Sequence, residues 1–464
     1  MKVLLISPCP HINTMSTTQY PPLGLLYIGS SIRDIVDELM ILDANILQLS
    51  NDEIIHKIED YSPDLVGISI NIVTAQSARE IVSEIKKQHP HIITVAGGPL
   101  PTVYPAKWLN FFDVVIAGEG EVAFRNIIEQ LNEGQVLKPK CRGICLRGEE
   151  ISCADHPDLN TLPFPAYDCL VPNLEYYSQK ARVAKKFMAP LLTSRGCPYS
   201  CSFCDKSVHG KNFRRRSVES VLEEVKWLYT TYGIRQLDIL DDNFTFDKAR
   251  ANAILDGIIE IGKFKINCQN GIRADRIDEQ LAIKMKKAGV FRVGIGIESG
   301  NPLILEQLNK NLNLDDVINA INIFRKLRIT TQGYFIIGLP FEKFSDINDT
   351  IQFAIKANPH YANFAHYLPI VGTDLYNELE EKKMLVNEDE EVEASFFRST
   401  SYIKNQNINE NDMKKIYGYA WKAFYFRLSK VIDIISTVNS LNEFMWIVRV
   451  SLSMLKSKIV SGRN

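Results

Sequence analysis

Thr193-Ser194-Arg195-Gly196-Cys197-Pro198-Tyr199-Ser200-Cys201-Ser202-Phe203-Cys204-Asp205 is the stretch around which the chain is organised. Three cysteines within eight residues can give thiolates to three irons of a four-iron cluster, which leaves the fourth iron open to a small molecule. Zinc would ask for four ligands, usually as two separated pairs. The one candidate nearby is His209, five residues beyond Cys204, and it makes a poor second pair. Cys197, Cys201 and Cys204 are therefore the expected metal ligands.

The CxxxCxxC spacing, with an aromatic residue, Phe203, directly before the last cysteine, resembles the motif of the radical S-adenosylmethionine (SAM) enzymes. That resemblance implies an open iron that chelates the methionine amine and carboxylate of SAM. It also implies an electron from the cluster that splits the sulfonium to a 5'-deoxyadenosyl radical.

Outward from the motif, strand and helix patterns alternate from Ala189 to about Tyr376. Strands are expected at Pro190–Thr193, Gln236–Leu240, Ile266–Asn270, Arg292–Ile297, Gln332–Ile337 and Asn363–Leu368, with helices such as Ser217–Tyr232 and Asp315–Leu327 between them. Six such units with the cysteines after the first resemble the open, partial (β/α)6 TIM-type barrel of radical SAM enzymes, whose chemistry gathers at the carboxyl ends of the strands. Asp241-Asp242-Asn243 ends the second strand and resembles the segment that contacts the SAM amine, although such a pair also caps helices. Arg273 ends the third, where it suits a SAM or substrate carboxylate, or equally a surface salt bridge. Glu298-Ser299 looks like the ribose-contacting segment, and Gly338 lies where backbone usually meets adenine. Arg214-Arg215-Arg216 is expected as a solvated face, or with one arginine paired to a carboxylate or phosphate near the cluster.

The first 135 residues alternate similarly, with expected strands Lys2–Ser7, Leu39–Asp43, Leu65–Ile70, Ile92–Ala96 and Val114–Ala117. Five units predict a doubly wound, Rossmann-like parallel sheet with ligands at the carboxyl ends, and no GxGxxG follows the first strand to indicate a dinucleotide. The strand ends hold Ser69, Asn71, Gly97-Gly98-Pro99 and Gly118-Glu119-Gly120, where glycine lets backbone approach a large flat ligand or simply makes an ordinary turn. With Pro21-Pro22-Leu23-Gly24-Leu25 and Val66-Gly67-Ile68-Ser69, these segments resemble the cobalamin-binding domain that precedes the barrel in the B12-dependent radical SAM class. DxHxxG is absent and His11 lacks its flanking residues, so the resemblance implies a cobalt whose lower face has no histidine.

Residues 136–187 are expected to connect the two domains through a small hairpin, Gly143–Leu146 with Ile151–Ala154, and Cys141 and Cys145 lack metal partners. The barrel is placed at 188–380 and a C-terminal helical region at 381–464. There, 387–393 is an acidic run expected as a solvent-facing turn. Tyr417–Arg427 puts aromatics at helical intervals, for packing onto the barrel mouth, ahead of an apolar helix to about residue 460.

Length points to two or three domains, and 45% apolar with 23% charged residues is ordinary for a globular chain. A net charge of -2 argues against wholesale nucleic-acid binding. Nine cysteines without a disulfide framework, and a strand-like run directly after Met1, suit a reducing cytoplasm. Leu441–Val460 is interrupted by Glu443, Arg449, Lys456 and Lys458, so peripheral contact with a membrane is its only expected membrane role. Taken together, the resemblances imply a cobalamin-dependent radical SAM enzyme that methylates an unactivated carbon of a small-molecule, lipid or peptide substrate, fed by an electron donor such as flavodoxin or ferredoxin. Oxidative cyclisation or rearrangement without methyl transfer, and a non-catalytic cobalamin or SAM sensor, are the rival readings.

Overall fold

The computed structural model describes residues 1–10, 20–177, 187–386, 403–438 and 445. The acidic run 387–393, His11 and the segment 446–460 of the expected C-terminal helix lie outside the described residues. Among the described residues the chain forms two compact units: Met1–Tyr177 with Asp205–Asn212, and the remainder.

In the first unit, strands β1 (Lys2–Ser7), β2 (Glu38–Asp43), β3 (Leu65–Ser69), β4 (Ile93–Gly97), β5 (Val114–Ile116), β6 (Ile144–Cys145) and β7 (Leu170–Val171) form one sheet in the order β6-β5-β4-β3-β1-β2-β7. Val3, Leu4, Leu5 and Ile6 are all fully buried, the signature of a strand covered by helices on both faces. The order 2-1-3-4-5 reverses winding between β1 and β3, which puts a crevice at their carboxyl ends. Helix Asn51–Tyr61 begins where Ser50 and Glu53 complete a reciprocal capping box. The connector departs from its expected hairpin: Ile144–Cys145 pairs antiparallel with β5, and the Ala154 N–H donates to the Ala117 carbonyl at 2.8 Å. Both arms of the would-be hairpin thus use the open edge of β5, which satisfies more backbone than pairing with each other. Leu170–Val171 likewise extends the opposite edge through β2.

The second unit carries β8 (Met188–Leu191), β11 (Gln236–Ile239), β12 (Lys265–Ile272), β13 (Val290–Glu298), β14 (Thr330–Ile337) and β15 (Tyr361–His366), all parallel and in strict chain order. Sequential order with right-handed crossovers winds the helices onto one face and curves the sheet into a partial barrel. The helices start where the sequence supplies caps: Ser217, Asp247 and Asp278 each accept a backbone N–H three residues on, at 3.1, 3.0 and 2.9 Å. A two-residue ladder of β9 (Ser194–Arg195) against β10 (Arg214–Arg215) stands apart from the barrel sheet. Helix Glu410–Tyr425 covers edge strand β15, where the Tyr425 hydroxyl accepts from the Ala362 N–H at 3.0 Å and donates to its carbonyl at 2.8 Å. Trp421 and Phe424 meet Phe364 edge-on in the same contact.

Candidate functional site

In the second unit, the β9–β10 ladder closes the base of a loop that holds all three cysteines of the motif. The end of β11 fixes one side of that base. Asp241, fully buried, accepts the Thr193 N–H at 2.6 Å and the hydroxyls of Thr193 and Ser194. Burial pushes its pKa up against the pull of those donors and of Arg250. Asp242 accepts the Gly196 N–H at 3.0 Å. Arg250 then ties both sides, donating to the Thr193 carbonyl at 2.7 Å and the Arg216 carbonyl at 3.0 Å. The three arginines are not one solvated face: Arg216 is buried in an ion pair with Glu224, and Arg215 pairs with Asp247 at 2.7 Å.

Within the loop, Tyr199 lies under the Arg273 guanidinium, 3.8 Å from its ring centroid, and accepts from Arg276 Nε at 3.1 Å. Phe203 packs against an apolar cluster that includes Leu308, Leu339 and Tyr367. Lys310 Nζ lies 5.9 Å from the Phe203 ring and 2.9 Å from Glu298 Oε1. Glu298 sits at φ 68, a left-handed conformation, and its Oε1 approaches the bare Gly296, 2.7 Å from where a Cβ would stand. Ser299 is taken up internally by Thr350 at 3.0 Å and by the Asn301 N–H at 3.1 Å. The Gly338 N–H donates to Glu342 at 2.7 Å, and His366 Nδ1 lies 3.7 Å from where a Gly338 Cβ would be.

Among the described residues, several buried polar atoms along these strands and the loops after them have no hydrogen-bond partner: both amide atoms of Asn243, Thr245 Oγ1, Gln269 Oε1, Glu342 Oε1 and His366 Nε2. Buried orphans each cost about 1–3 kcal/mol, so their grouping at the ends of β11, β12, β14 and β15 marks a place for a polar ligand. Burial holds His366 neutral, its pKa pushed down to about 4, and pushes Glu342 up to about 8. Sequence reasoning overlooked Tyr199, Lys310, Glu342 and His366. The Asn309-Lys310-Asn311 turn was the available signal for Lys310, since asparagine tolerates the left-handed backbone found at both flanks.

In the first unit, Ser69 and Gly97 are register partners at the ends of β3 and β4. Gly98 has φ 104, and a Cβ there would meet the Ile70 carbonyl at 2.7 Å, while Gly97 has nothing nearer than Ile116 at 4.0 Å. Pro99 opens the short helix that follows. Gly118, at φ 98, donates its N–H to Thr102 Oγ1 at 2.9 Å, and Gly120 precedes helix Glu121–Asn132. Two expected contact residues are already engaged. Asn71 Oδ1 accepts the N–H groups of Val73 and Thr74 at 3.0 and 3.2 Å, and the buried Glu119 lies 2.8 Å from His209 Nδ1.

Residues 12–128 match the B12 binding domain and residues 191–354 the Radical SAM superfamily. An uncharacterized methyltransferase of Pyrococcus horikoshii is 33% identical over 81% of this chain and 82% of its own length. The chain belongs to the radical SAM enzymes that carry a B12-binding domain. The cytidylyl-2-hydroxyethylphosphonate methyltransferase of Streptomyces wedmorensis is a further relative of this radical SAM enzyme, 29% identical over 81% of each chain. The cobalamin-dependent radical SAM enzyme OxsB, solved with aqua-cobalamin and SAM bound, shares its fold with a TM-score of 0.72 at 17% identity, covering 97% of this chain and 70% of that one.

The family's cofactors are a four-iron cluster, SAM and cobalamin, and the residues present fit them. For the cluster the donor set is right: three cysteines on one anchored loop, none in a disulfide. Among the described residues no three His, Cys, Asp or Glu side chains converge as on a single metal ion, which a cubane does not ask for, since each sulfur takes its own iron. For SAM the orphaned atoms supply polar partners, and for cobalamin the end of β4 at Gly97, where nothing lies nearer than Ile116 at 4.0 Å, supplies a surface that backbone alone presents.

Proposed function

We propose that this enzyme methylates an unactivated carbon of a small-molecule, lipid or peptide substrate. Cys197, Cys201 and Cys204 hold the cluster, and an acidic carrier such as flavodoxin or ferredoxin delivers its electron. When bound, the cluster and SAM supply a carbon-centred radical that removes a hydrogen atom, and cobalamin supplies the methyl group that takes its place. The observation that carries this reading is the anchored three-cysteine loop beside the unpartnered amide of Asn243.

The chain's own residues divide the work. Asp241, buried and occupied by Thr193 and Ser194, sets the loop, while Asp242, exposed and accepting only the Gly196 N–H, keeps an oxygen for the SAM ammonium. Asn243 takes the polar end of SAM beside Asp242, Glu298 with its Lys310 partner faces the ribose, and the Gly338 backbone meets the adenine. Ser299 supports Glu298 from behind. Ser69, Gly97, Gly98, Pro99 and Gly118 line the corrin surface, Asn71 and Gly120 shape the turns beside them, and Glu119 acts by holding His209. Anaerobic incubation of the reconstituted, cobalamin-supplied protein with methyl-labelled SAM and a reductant tests the reading. 5'-Deoxyadenosine is expected of either enzyme and its absence would mean a sensor; given the right substrate, labelled methyl recovered on a substrate carbon marks methyl transfer, and an unlabelled product marks cyclisation or rearrangement.

A further inference from the structure

We infer that Arg273 and Arg276 are positioning residues for the iron–sulfur cluster, acting through Tyr199, and that Arg273 does not serve as a ligand for a SAM or substrate carboxylate. This rests on the cluster assignment above. Between Cys197 and Cys201 the chain offers three side chains, and Pro198 and Ser200 are exposed, so Tyr199 is the one that can anchor this span. Its ring is held on one face by the Arg273 guanidinium at 3.8 Å, on its edge by Phe246 at 6.0 Å, and at its hydroxyl by Arg276 at 3.1 Å.

Arg273 has little left for an anion. It is 7% exposed, and its guanidinium donates from Nε to Asp275 at 3.0 Å, from Nη1 to the Lys310 carbonyl at 3.3 Å and from Nη2 to the Asn311 carbonyl at 2.7 Å. Asn309 and Asn311 adopt φ of 50 and 40, a left-handed turn in the segment that presents those carbonyls. Most of the guanidinium's donors and one of its faces are taken by Asp275, the two carbonyls and the Tyr199 ring before any carboxylate arrives. The plate is thus a wedge joining the end of β12, the turn after β13 and the cysteine loop. The Arg273 and Arg276 cations against Tyr199 are positive charges beside the loop, and each favours the reduced, more anionic state of a thiolate-bound cluster.

The test uses the full chain, reconstituted anaerobically, with iron release to a chelator, the cluster midpoint potential and SAM affinity measured side by side. Tyr199→Leu and Arg273→Gln should release iron faster by on the order of tenfold, from loss of a cation–π contact and its hydrogen bonds. Arg273→Gln should also lower the midpoint potential. Tyr199→Phe keeps the stacked ring and should give a smaller acceleration, while Arg273→Lys should restore the potential and not the iron retention. Wild-type iron release and potential in Arg273→Gln would overturn the inference, all the more plainly if SAM affinity alone fell. A wild-type chain that takes up no iron would overturn the cluster assignment itself, an outcome seen before any variant is compared.

Discussion

Asn243 is a buried amide with neither atom partnered, and that makes an unusual prediction. Removing an unsatisfied polar group costs the folded protein nothing, so Asn243→Ala should leave the ligand-free protein as stable as before, or more so, while weakening SAM binding by about 1–3 kcal/mol. Denaturant midpoints together with a SAM titration would check both halves; a loss of stability without a loss of affinity would contradict them. Asp241→Asn should do the reverse, lowering stability by about 1–3 kcal/mol because the anion that accepts from Thr193 and Ser194 is gone. Glu342 is the titratable counterpart. Its folded pKa of about 8 lies above the unfolded value, so its neutral form stabilises the fold at low pH. That contribution is lost as pH rises from the ordinary carboxylate range through 8, with a slope of at most about 1.4 kcal/mol per pH unit. Glu342→Gln mimics the protonated carboxyl and should flatten this dependence; denaturation of both proteins across pH 5 to 9 reads the difference, and parallel curves would refute it.

At the scale of elements, the cysteine loop is fixed by contacts far apart in sequence, and helix Glu410–Tyr425 covers the edge of the barrel sheet with one hydroxyl bonded to its backbone. Tyr425 serves both backbone groups of Ala362 on this edge strand. Tyr425→Phe keeps the ring packing and should cost about 1–2 kcal/mol, with faster amide exchange confined to Tyr361–Phe364. Unchanged exchange there would show that the edge is protected by packing alone. Helix Leu428–Ile435 is held by similar means, Lys430 donating to the Pro359 carbonyl at 2.7 Å and Asp433 pairing with Arg325 at 2.8 Å.

Across the whole molecule, what the sequence disclosed was whatever depends on local pattern. The cysteine spacing, the alternation of apolar runs with amphipathic helices, and glycine at Gly98 and Gly118 are each legible within a dozen residues. Partners were not, because a hydrogen bond between Asp241 and Thr193, or a stack of Arg273 on Tyr199, joins positions 48 and 74 residues apart that only the folded barrel brings together. The same blindness hid β7, a two-residue strand too short to carry a period, and the partner of the expected Gly143–Leu146 arm, which extends the first sheet at β5. The claim that unites these scales is that the cysteine trio presents an iron with a vacant corner to SAM. Electron paramagnetic resonance of the reduced, reconstituted protein tests it most directly: addition of SAM should shift the cluster's g-values, and Cys201→Ala should abolish the signal, whereas a spectrum unchanged by SAM would contradict the account.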